Sequence, residues 1–205
     1  MVADIVGWAR QQNLRTSPDF NQQEQLGTGK LLDLMINEGI ITRFTGGPTT
    51  VYGIEADNVA VASYYRNTIV HFFVNKALIE LALIAVAEDK SGAEPETVFW
   101  SEVLELRDLF KFEFFYSPTE VFQAEIKAEM MAIDPQWQSE LGTGGKGSRR
   151  LLSLATPQVA HMTLQMYAES YSVAADLLAG LGTESAPSST EFVDRCMNYG
   201  KQALL

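Results

Sequence analysis

The longest apolar stretch of the chain runs from Asp57 to about Ala87 and contains neither glycine nor proline. As an α-helix of about thirty residues it is roughly 45 Å long, which is enough to cross a small domain. Four polar or ionisable residues fall near its middle: His71, Asn75, Lys76 and Glu80. Ionisable groups are costly at the centre of a bilayer, so the pattern predicts a buried central helix over residues 57–87 rather than a simple membrane span.

Polar side chains lie on two faces of this predicted helix. Asn67, His71 and Asn75 recur at every fourth position and form one narrow stripe. A single histidine on an apolar helix usually has its hydrogen bonds satisfied in the core, and the alternative is a polar seam that contacts another domain or orients a site. Lys76 and Glu80, on a different face, are interpreted as a solvated ion pair worth a few tenths of a kcal/mol.

The residues before the central helix predict a helix followed by a β-hairpin. The segment KLLDLMINEG has an apolar face, and Gly39 is well placed as its C′ residue. Residues 40–54 are β-branched or aromatic with partial alternation, and the turn signal Gly46-Gly47-Pro48 interrupts them. A helix, a hairpin and a second helix in this order resemble a winged-helix unit, in which the hairpin is the wing.

Most of the remaining chain has the periodicity of helices. Predicted helices cover residues 2–12, 19–26, 97–116, 118–133, 157–181 and 191–205. The segments that begin at Ser117 and Ser188 match the capping pattern of helix starts. The fold class is therefore mainly α, a helical bundle around the long central helix with one β-hairpin and a winged-helix-like N-terminal part.

Two segments bear on the domain organisation. The glycine-rich residues 141–150 are predicted to be a flexible linker. Residues 1–93 form a helix–hairpin–long-helix unit and residues 94–205 a helical continuation, and we expect the two to form one compact domain. The last helix is still apolar and periodic at Leu205, which indicates that the chain is cut there.

Composition and charge exclude several classes of function. The chain has 205 residues, with 26 Asp and Glu against 15 Lys and Arg, for a formal net charge of −11. This charge repels DNA and anionic membrane surfaces on average. The single cysteine, Cys196, excludes an internal disulfide framework, and the N-terminus lacks the basic and apolar regions of a secretory signal.

The sequence has no self-contained catalytic or metal-binding constellation. The glycine-rich segments 27–30 and 141–147 lack the spacing and the preceding strand of a phosphate-binding loop. One cysteine and two histidines are too few for a four-ligand zinc site without carboxylates. A Ser–His–Asp triad stays open from the sequence, but no nucleophile elbow is present. The sequence therefore predicts no catalytic residue, no metal and no cofactor.

One run of residues carries a family resemblance: Tyr64-Tyr65-Arg66-Asn67, then His71, then FFVNKALIELAL. It is similar to the region that follows the catalytic domain in glycerol-3-phosphate acyltransferases, and most similar to the actinobacterial branch. The resemblance extends to LLDLMINEGIITRFTGGPTTVYGI before the run and to FWSEVLELRDLFKFEFF after it. It covers nearly the whole chain.

The family's catalytic residues are not part of this resemblance. Those enzymes transfer a fatty acyl group from a thioester of acyl carrier protein or coenzyme A to the sn-1 hydroxyl of glycerol 3-phosphate. Their general base is a His oriented by an Asp five positions later. Here Lys76 stands five positions after His71, and Met166 stands five after His161. The family's phosphate-holding Gly/Arg and Phe-Glu-Gly-type blocks are absent too.

The resemblance therefore implies a noncatalytic C-terminal domain or fragment, inactive alone, that packs on and supports an acyltransferase domain. It implies a peripheral location at the cytoplasmic face of the cell membrane, with membrane contact mainly through the catalytic part, and no nucleic-acid partner. The identity of the acyl donor stays open. The candidate binding or domain-interface residues are Tyr64, Tyr65, Arg66, Asn67, His71 and Asn75.

Two other classes of function remain as alternatives. A winged-helix DNA-binding protein would use KLLDLMINEG as its recognition helix, but the net charge and the few basic residues there argue against it. A stand-alone helical interaction or dimerisation module would use the aromatic face at Phe110–Tyr116 as its contact.

Overall fold

The computed structural model describes residues 27–181 and 187–203. The chain divides into two compact units, residues 1–72 and 73–205, which we call the N-terminal and C-terminal units. The predicted helices over residues 2–12 and 19–26 lie outside the described residues. The predicted organisation around a boundary near residue 93 stays a prediction.

The N-terminal unit has the predicted order of helix, hairpin and helix. Its elements are α1 (Gly27–Asn37), β1 (Thr42–Phe44), β2 (Val51–Gly53) and α2 (Ala56–Ile69), followed by a 3₁₀ turn (Val70–Phe73) that runs into the next unit. The two strands pair antiparallel, with Thr42 opposite Gly53 and Phe44 opposite Val51. The β-hairpin predicted over residues 40–54 is therefore confirmed.

Gly39 ends helix α1 as the sequence predicts. Its φ of +69° lies in the left-handed region that glycine adopts without a steric penalty. The N–H of Gly39 donates to the carbonyl of Ile36, and the N–H of Ile40 donates to that of Met35, both at 2.9 Å. These two bonds are those of a Schellman cap, which turns the chain from the helix toward the hairpin.

The described part of the N-terminal unit has almost no hydrophobic core. Ile41 and Val70 are its only buried apolar residues among those described. Many large apolar side chains are exposed instead: Leu34, Ile40, Phe44, Val51, Tyr52, Ile54, Val59, Val61, Tyr64, Tyr65, Ile69 and Phe72. Apolar surface on this scale is typical of a surface that another protein or a membrane covers.

The C-terminal unit is a bundle around one buried helix, α3 (Val74–Glu88). The other elements are α4 (Pro95–Leu109), α5 (Thr119–Ile133), α6 (Trp137–Leu141), α7 (Gly145–Leu154), α8 (Ala160–Thr163), α9 (Gln165–Gly180) and α10 (Ser189–Ala203). Helices α4 and α7 pack most extensively on α3, and α5 and α8 also contact it. Side chains such as Leu78, Leu83, Phe99 and Phe122 form the core.

The central helix is buried over only half of its predicted length. Helix α2 has no buried residue, whereas α3 buries nine of its residues. The reason is the distribution of polar groups: α2 carries them on all sides, while α3 is apolar nearly all round, and a helix apolar on every side is stable only when covered. The mainly helical fold class with one hairpin is confirmed, and the expectation of burial from residue 57 onward is wrong.

The helical run Ala56–Glu88 is long and apolar enough to cross a membrane by length and composition alone, with a mean hydropathy of 1.9 in its most apolar window. Of that window, 56% is buried inside the protein. A core helix passes the same test, and the burial of α3 by other helices is the behaviour of a core helix.

The glycine-rich segment 141–150 is structured rather than flexible. Its residues end α6 and build most of α7, where Gly147 and Ser148 are fully or almost fully buried. A Cβ atom on Gly147 would lie 1.7 Å from the carbonyl oxygen of Glu140, and one on Gly145 would lie 3.0 Å from that of Ala87. Glycine is required because these backbones pack too closely for a side chain. The linker prediction is wrong for this reason.

Other helix limits differ locally from the predicted ones. The aromatic helix predicted to reach residue 116 ends at Leu109, and the chain continues as a turn. The hydroxyl of Ser117 does not cap α5 but donates to the carboxylate of Glu125 at 2.7 Å. The cap of the last helix is confirmed, since the N–H of Glu191 donates to the Ser188 hydroxyl at 3.3 Å.

We predict that Gly147→Ala destabilises the chain by about 1–3 kcal/mol or more, because the new methyl group would overlap a backbone carbonyl that cannot move aside cheaply. Urea unfolding followed by far-UV circular dichroism measures the change. Gly180→Ala is the matched control: nothing lies within 4 Å of its added Cβ, and alanine favours the helix by about 0.5–1 kcal/mol. Equal stability of Gly147→Ala and wild type would contradict the close packing of α6 and α7.

Candidate functional site

The predicted interface residues on α2 are exposed in this chain. Tyr64 and Tyr65 are 68% and 65% exposed, and their rings meet edge to face with centroids 5.6 Å apart. Arg66 is half-buried and its guanidinium donates to the amide oxygen of Asn67 at 3.2 Å. The expectation that these groups decorate a helix buried within the chain is wrong, because α2 has no covering element among the described residues of its unit.

The remaining two candidates, His71 and Asn75, have different environments. His71 is exposed and stacks against Phe72, with ring centroids 3.9 Å apart. Asn75 is half-buried and its amide donates to the carboxylate of Glu125 at 3.3 Å. The 3₁₀ turn Val70–Phe73 interrupts the α-helical period on which the predicted Asn67–His71–Asn75 stripe depends.

Lys76 and Glu80 are buried, contrary to the prediction of a solvated ion pair. They are 5% and 2% exposed. The ammonium group of Lys76 donates to the carbonyl of Thr156 at 2.9 Å. The carboxylate of Glu80 accepts from the N–H of Val159 at 2.8 and 2.9 Å and from that of Ala160 at 2.7 Å.

Together Lys76 and Glu80 bind the backbone that leads into α8. One side chain satisfies a carbonyl before α8, and the other satisfies the free N–H groups at its start, where a negative charge is favourable. Burial raises the pKa of Glu80 above its ordinary value, against the lowering effect of the two backbone N–H groups and of Lys76. The pair is a brace between α3 and residues 156–160.

A second polar network links α3, α4 and α5. Glu125 accepts from Asn75 and from the hydroxyl of Ser117, and the carbonyl of Ser117 accepts from Arg107 at 3.1 Å. The guanidinium of Arg107 also lies 5.6 Å from the ring centre of Tyr116. Burial raises the pKa of Tyr116 well above its ordinary value. These contacts fix the turn between α4 and α5.

Both networks consist of contacts within the C-terminal unit. The described residues contain no cluster of three or more His, Cys, Asp or Glu side chains that would hold a metal ion. His71 and Glu80 belong to different units, and the hydrogen bonds of Lys76 and Glu80 go to backbone groups of their own unit. Both networks hold helices together.

Sequence reasoning missed the brace although a signal for it was present. Lys76 and Glu80 lie on a helix that is apolar on nearly every side. Such a helix is stable only when other elements cover it, and covering it buries the two charged side chains as well. What the sequence does not contain is the distant partner, since residues 156–160 lie about eighty positions away.

Fold and site together define a mainly helical region, built on a buried helix, in which the charged groups of the core serve its own packing. The family model for the glycerol-3-phosphate acyltransferase C-terminal region matches residues 1–205, and the chain belongs to this family.

Similar proteins occur in mycobacteria. The chain is 34% identical over 173 residues to "Putative acyltransferase plsB1" of Mycobacterium bovis, and equally so to the protein of the same name in Mycobacterium tuberculosis strains CDC 1551 and H37Rv. The match covers 83% of this chain but 28% of each relative, so the chain spans less than a third of their length. No solved structure matches the chain.

We predict that Glu80→Gln lowers the free energy of unfolding near neutral pH by about 1–3 kcal/mol, because the amide cannot accept all three backbone hydrogen bonds. The folded chain raises the pKa of Glu80 above 4.5, so it binds more protons than the unfolded chain between the two pKa values. Stability contributed by the protonated form is present below about pH 4.5 and lost as the pH rises through the folded-state pKa.

The raised pKa of Glu80 fixes the direction in which the unfolding free energy changes with pH. Across the range just above pH 4.5, the unfolding free energy of the wild type falls with rising pH relative to that of Glu80→Gln. Urea unfolding at a series of pH values measures both curves. Glu88→Gln, an exposed substitution on the same helix, is the control and runs parallel to the wild type. Parallel curves for Glu80→Gln would contradict a buried carboxylate.

Proposed function

We propose that this chain is a noncatalytic C-terminal domain of a glycerol-3-phosphate 1-O-acyltransferase that packs on and supports the catalytic domain. The parent enzyme would transfer an acyl group from acyl carrier protein or coenzyme A to glycerol 3-phosphate, the first step of phospholipid synthesis. The observation that carries the proposal is the match of the family model to the whole chain.

The chemistry of the described residues agrees with a noncatalytic role. A general base of this family needs a carboxylate five positions after its histidine to orient the imidazole. Lys76 and Met166 stand at those positions after His71 and His161. Lys76 is moreover engaged with the carbonyl of Thr156 in the core. The residues that carry out acyl transfer would lie in the catalytic domain.

The exposed surface of the N-terminal unit supports an interface with that domain. A unit whose described residues bury two apolar side chains and expose twelve large ones gains little stability from its own packing. We propose that the catalytic domain covers α2, with Tyr64, Tyr65, Arg66, Asn67 and His71 at the contact. Two tyrosines and an arginine are the residue types that dominate the energy of protein interfaces.

Asn75 has a different proposed role. Its hydrogen bond to Glu125 holds the start of α3 against α5, so it would stabilise the C-terminal unit rather than contact the partner. We place the assembly at the cytoplasmic face of the cell membrane as a peripheral protein.

A DNA-binding role finds little support in the same surface. The hairpin's Arg43 is paired with Asp33 of α1, so the one arginine of the hairpin is neutralised by a neighbour. Phosphate contacts need unpaired basic groups on the recognition helix and wing. The association test below distinguishes a dimerisation module, which would associate only with a second copy of the chain.

We expect the purified chain to give no acyl transfer from acyl carrier protein or coenzyme A thioesters to glycerol 3-phosphate, because no His–carboxylate pair of the family's spacing is present. Release of free thiol or formation of radiolabelled lysophosphatidate measures the reaction. The full-length mycobacterial relative serves as the positive control. Turnover by the 205-residue chain alone would refute the noncatalytic assignment.

The second prediction concerns the interface. Co-expressed with the remaining part of its mycobacterial relative, the chain should co-purify with it. Tyr64→Ala combined with Tyr65→Ala should weaken this association by about tenfold or more, since two exposed aromatic anchors are lost. Phe112→Ala combined with Phe115→Ala, a more exposed aromatic pair elsewhere, is the control and should leave it unchanged. Equal loss in both pairs, or association of the chain only with itself, would contradict the proposed interface.

A further inference from the structure

The turn between α4 and α5 presents two phenylalanines to solvent. Phe112 is 84% exposed and Phe115 is 108% exposed, more than any other large apolar residue in the described chain. A value this high means that the ring projects beyond the surrounding surface. We call residues 110–116 the aromatic turn. The sequence predicts these residues as a helix, but helix α4 ends at Leu109.

The aromatic turn is held rigidly at its base. Phe110 and Phe114 are buried, and their rings pack on Tyr171 and Tyr167 of α9 at centroid distances of 5.9 and 5.0 Å. The N–H groups of residues 113 and 114 both donate to the carbonyl of Phe110 at 3.0 Å. Burial of one pair of rings therefore fixes the outward direction of the other pair.

The exposed pair is small for a protein interface. Two phenylalanine side chains offer on the order of 300–500 Å². A stable protein interface needs about 800 Å² from each partner. A bilayer has no such lower limit, because a projecting ring enters the acyl region without a matching pocket and its apolar area leaves water. A projecting pair of rings fits a fluid lipid surface better than a folded partner.

One cation of the turn lies beside the exposed rings. The ammonium group of Lys111 lies 5.6 Å from the ring centre of Phe112. Asp108, just before the turn, pairs with Arg107 at 3.5 Å, whereas Glu113 accepts from the neutral hydroxyl of Tyr171 at 3.0 Å and keeps its charge. A lysine at the base of an inserted ring is placed to reach a lipid phosphate.

We propose that the aromatic turn is a membrane contact, in which Phe112 and Phe115 enter the interface of an anionic bilayer and Lys111 pairs with a headgroup phosphate. This proposal rests on the proposed function, which places the protein at the membrane. The contact would give this region its own attachment there. This contact would act in addition to the attachment expected through the catalytic part.

Sedimentation of the 205-residue chain with vesicles of equal parts phosphatidylcholine and phosphatidylglycerol tests the contact. The wild type should bind, and Phe112→Ser combined with Phe115→Ser should lower the partition coefficient about tenfold or more. Lys111→Gln should lower it roughly fivefold on these vesicles and leave binding to pure phosphatidylcholine unchanged. The control, Val121→Ser combined with Met131→Ser, removes two half-exposed apolar side chains from α5 and should change binding less than twofold.

A reporter variant keeps the test independent of folding. In Phe112→Trp, brominated lipid should quench fluorescence beyond the quenching of the wild type, whose tryptophans include the half-buried Trp100 and the buried Trp137. No wild-type binding, equal binding by turn and control variants, or no additional quenching would overturn the membrane contact. A turn variant that changed only the self-association seen by light scattering would also overturn it, in favour of a second copy of the chain. Co-purification with the catalytic part is a separate readout, so either proposal can fail while the other stands.

Discussion

The C-terminal unit depends on the burial of α3, and that burial depends on Glu80. Packing α4, α7 and α8 around one helix removes its apolar residues from water, but it also removes a lysine and a glutamate. A buried charge without hydrogen bonds would cost several kcal/mol. The carboxylate recovers part of this cost by accepting three backbone hydrogen bonds from Val159 and Ala160, which also fixes where α8 begins.

Close backbone packing decides how α7 contacts α3. Helix α7 can approach α3 and α6 only because glycine occupies positions 145 and 147. Arg149, on the outside of this crossing, donates to the carbonyl of Ala87 at 2.9 Å and so closes the C-terminus of α3. The brace formed by Lys76 and Glu80 holds the first half of α3, and the glycine contact with α7 holds its C-terminal end.

The two units differ in how they obtain stability, and this difference bears on function. The C-terminal unit has a continuous core of aliphatic and aromatic side chains. The described part of the N-terminal unit has a well-formed helix cap and hairpin but few buried apolar residues. Local hydrogen bonds define its secondary structure, while the hydrophobic contribution to its stability would come from a covering partner. This difference agrees with the proposed interface on the N-terminal unit.

The sequence by itself determined the secondary structure where local chemistry decides it: the Schellman glycine at position 39, the hairpin around Gly46-Gly47-Pro48 and the cap at Ser188. It also carried the family resemblance, which the match of the family model to residues 1–205 confirms. Tertiary structure decided the rest. Whether Lys76 and Glu80 meet water or backbone, and whether glycine at 147 gives flexibility or close packing, depends on partners far away in the chain. Helical periodicity records which face is apolar, but it does not record what covers that face.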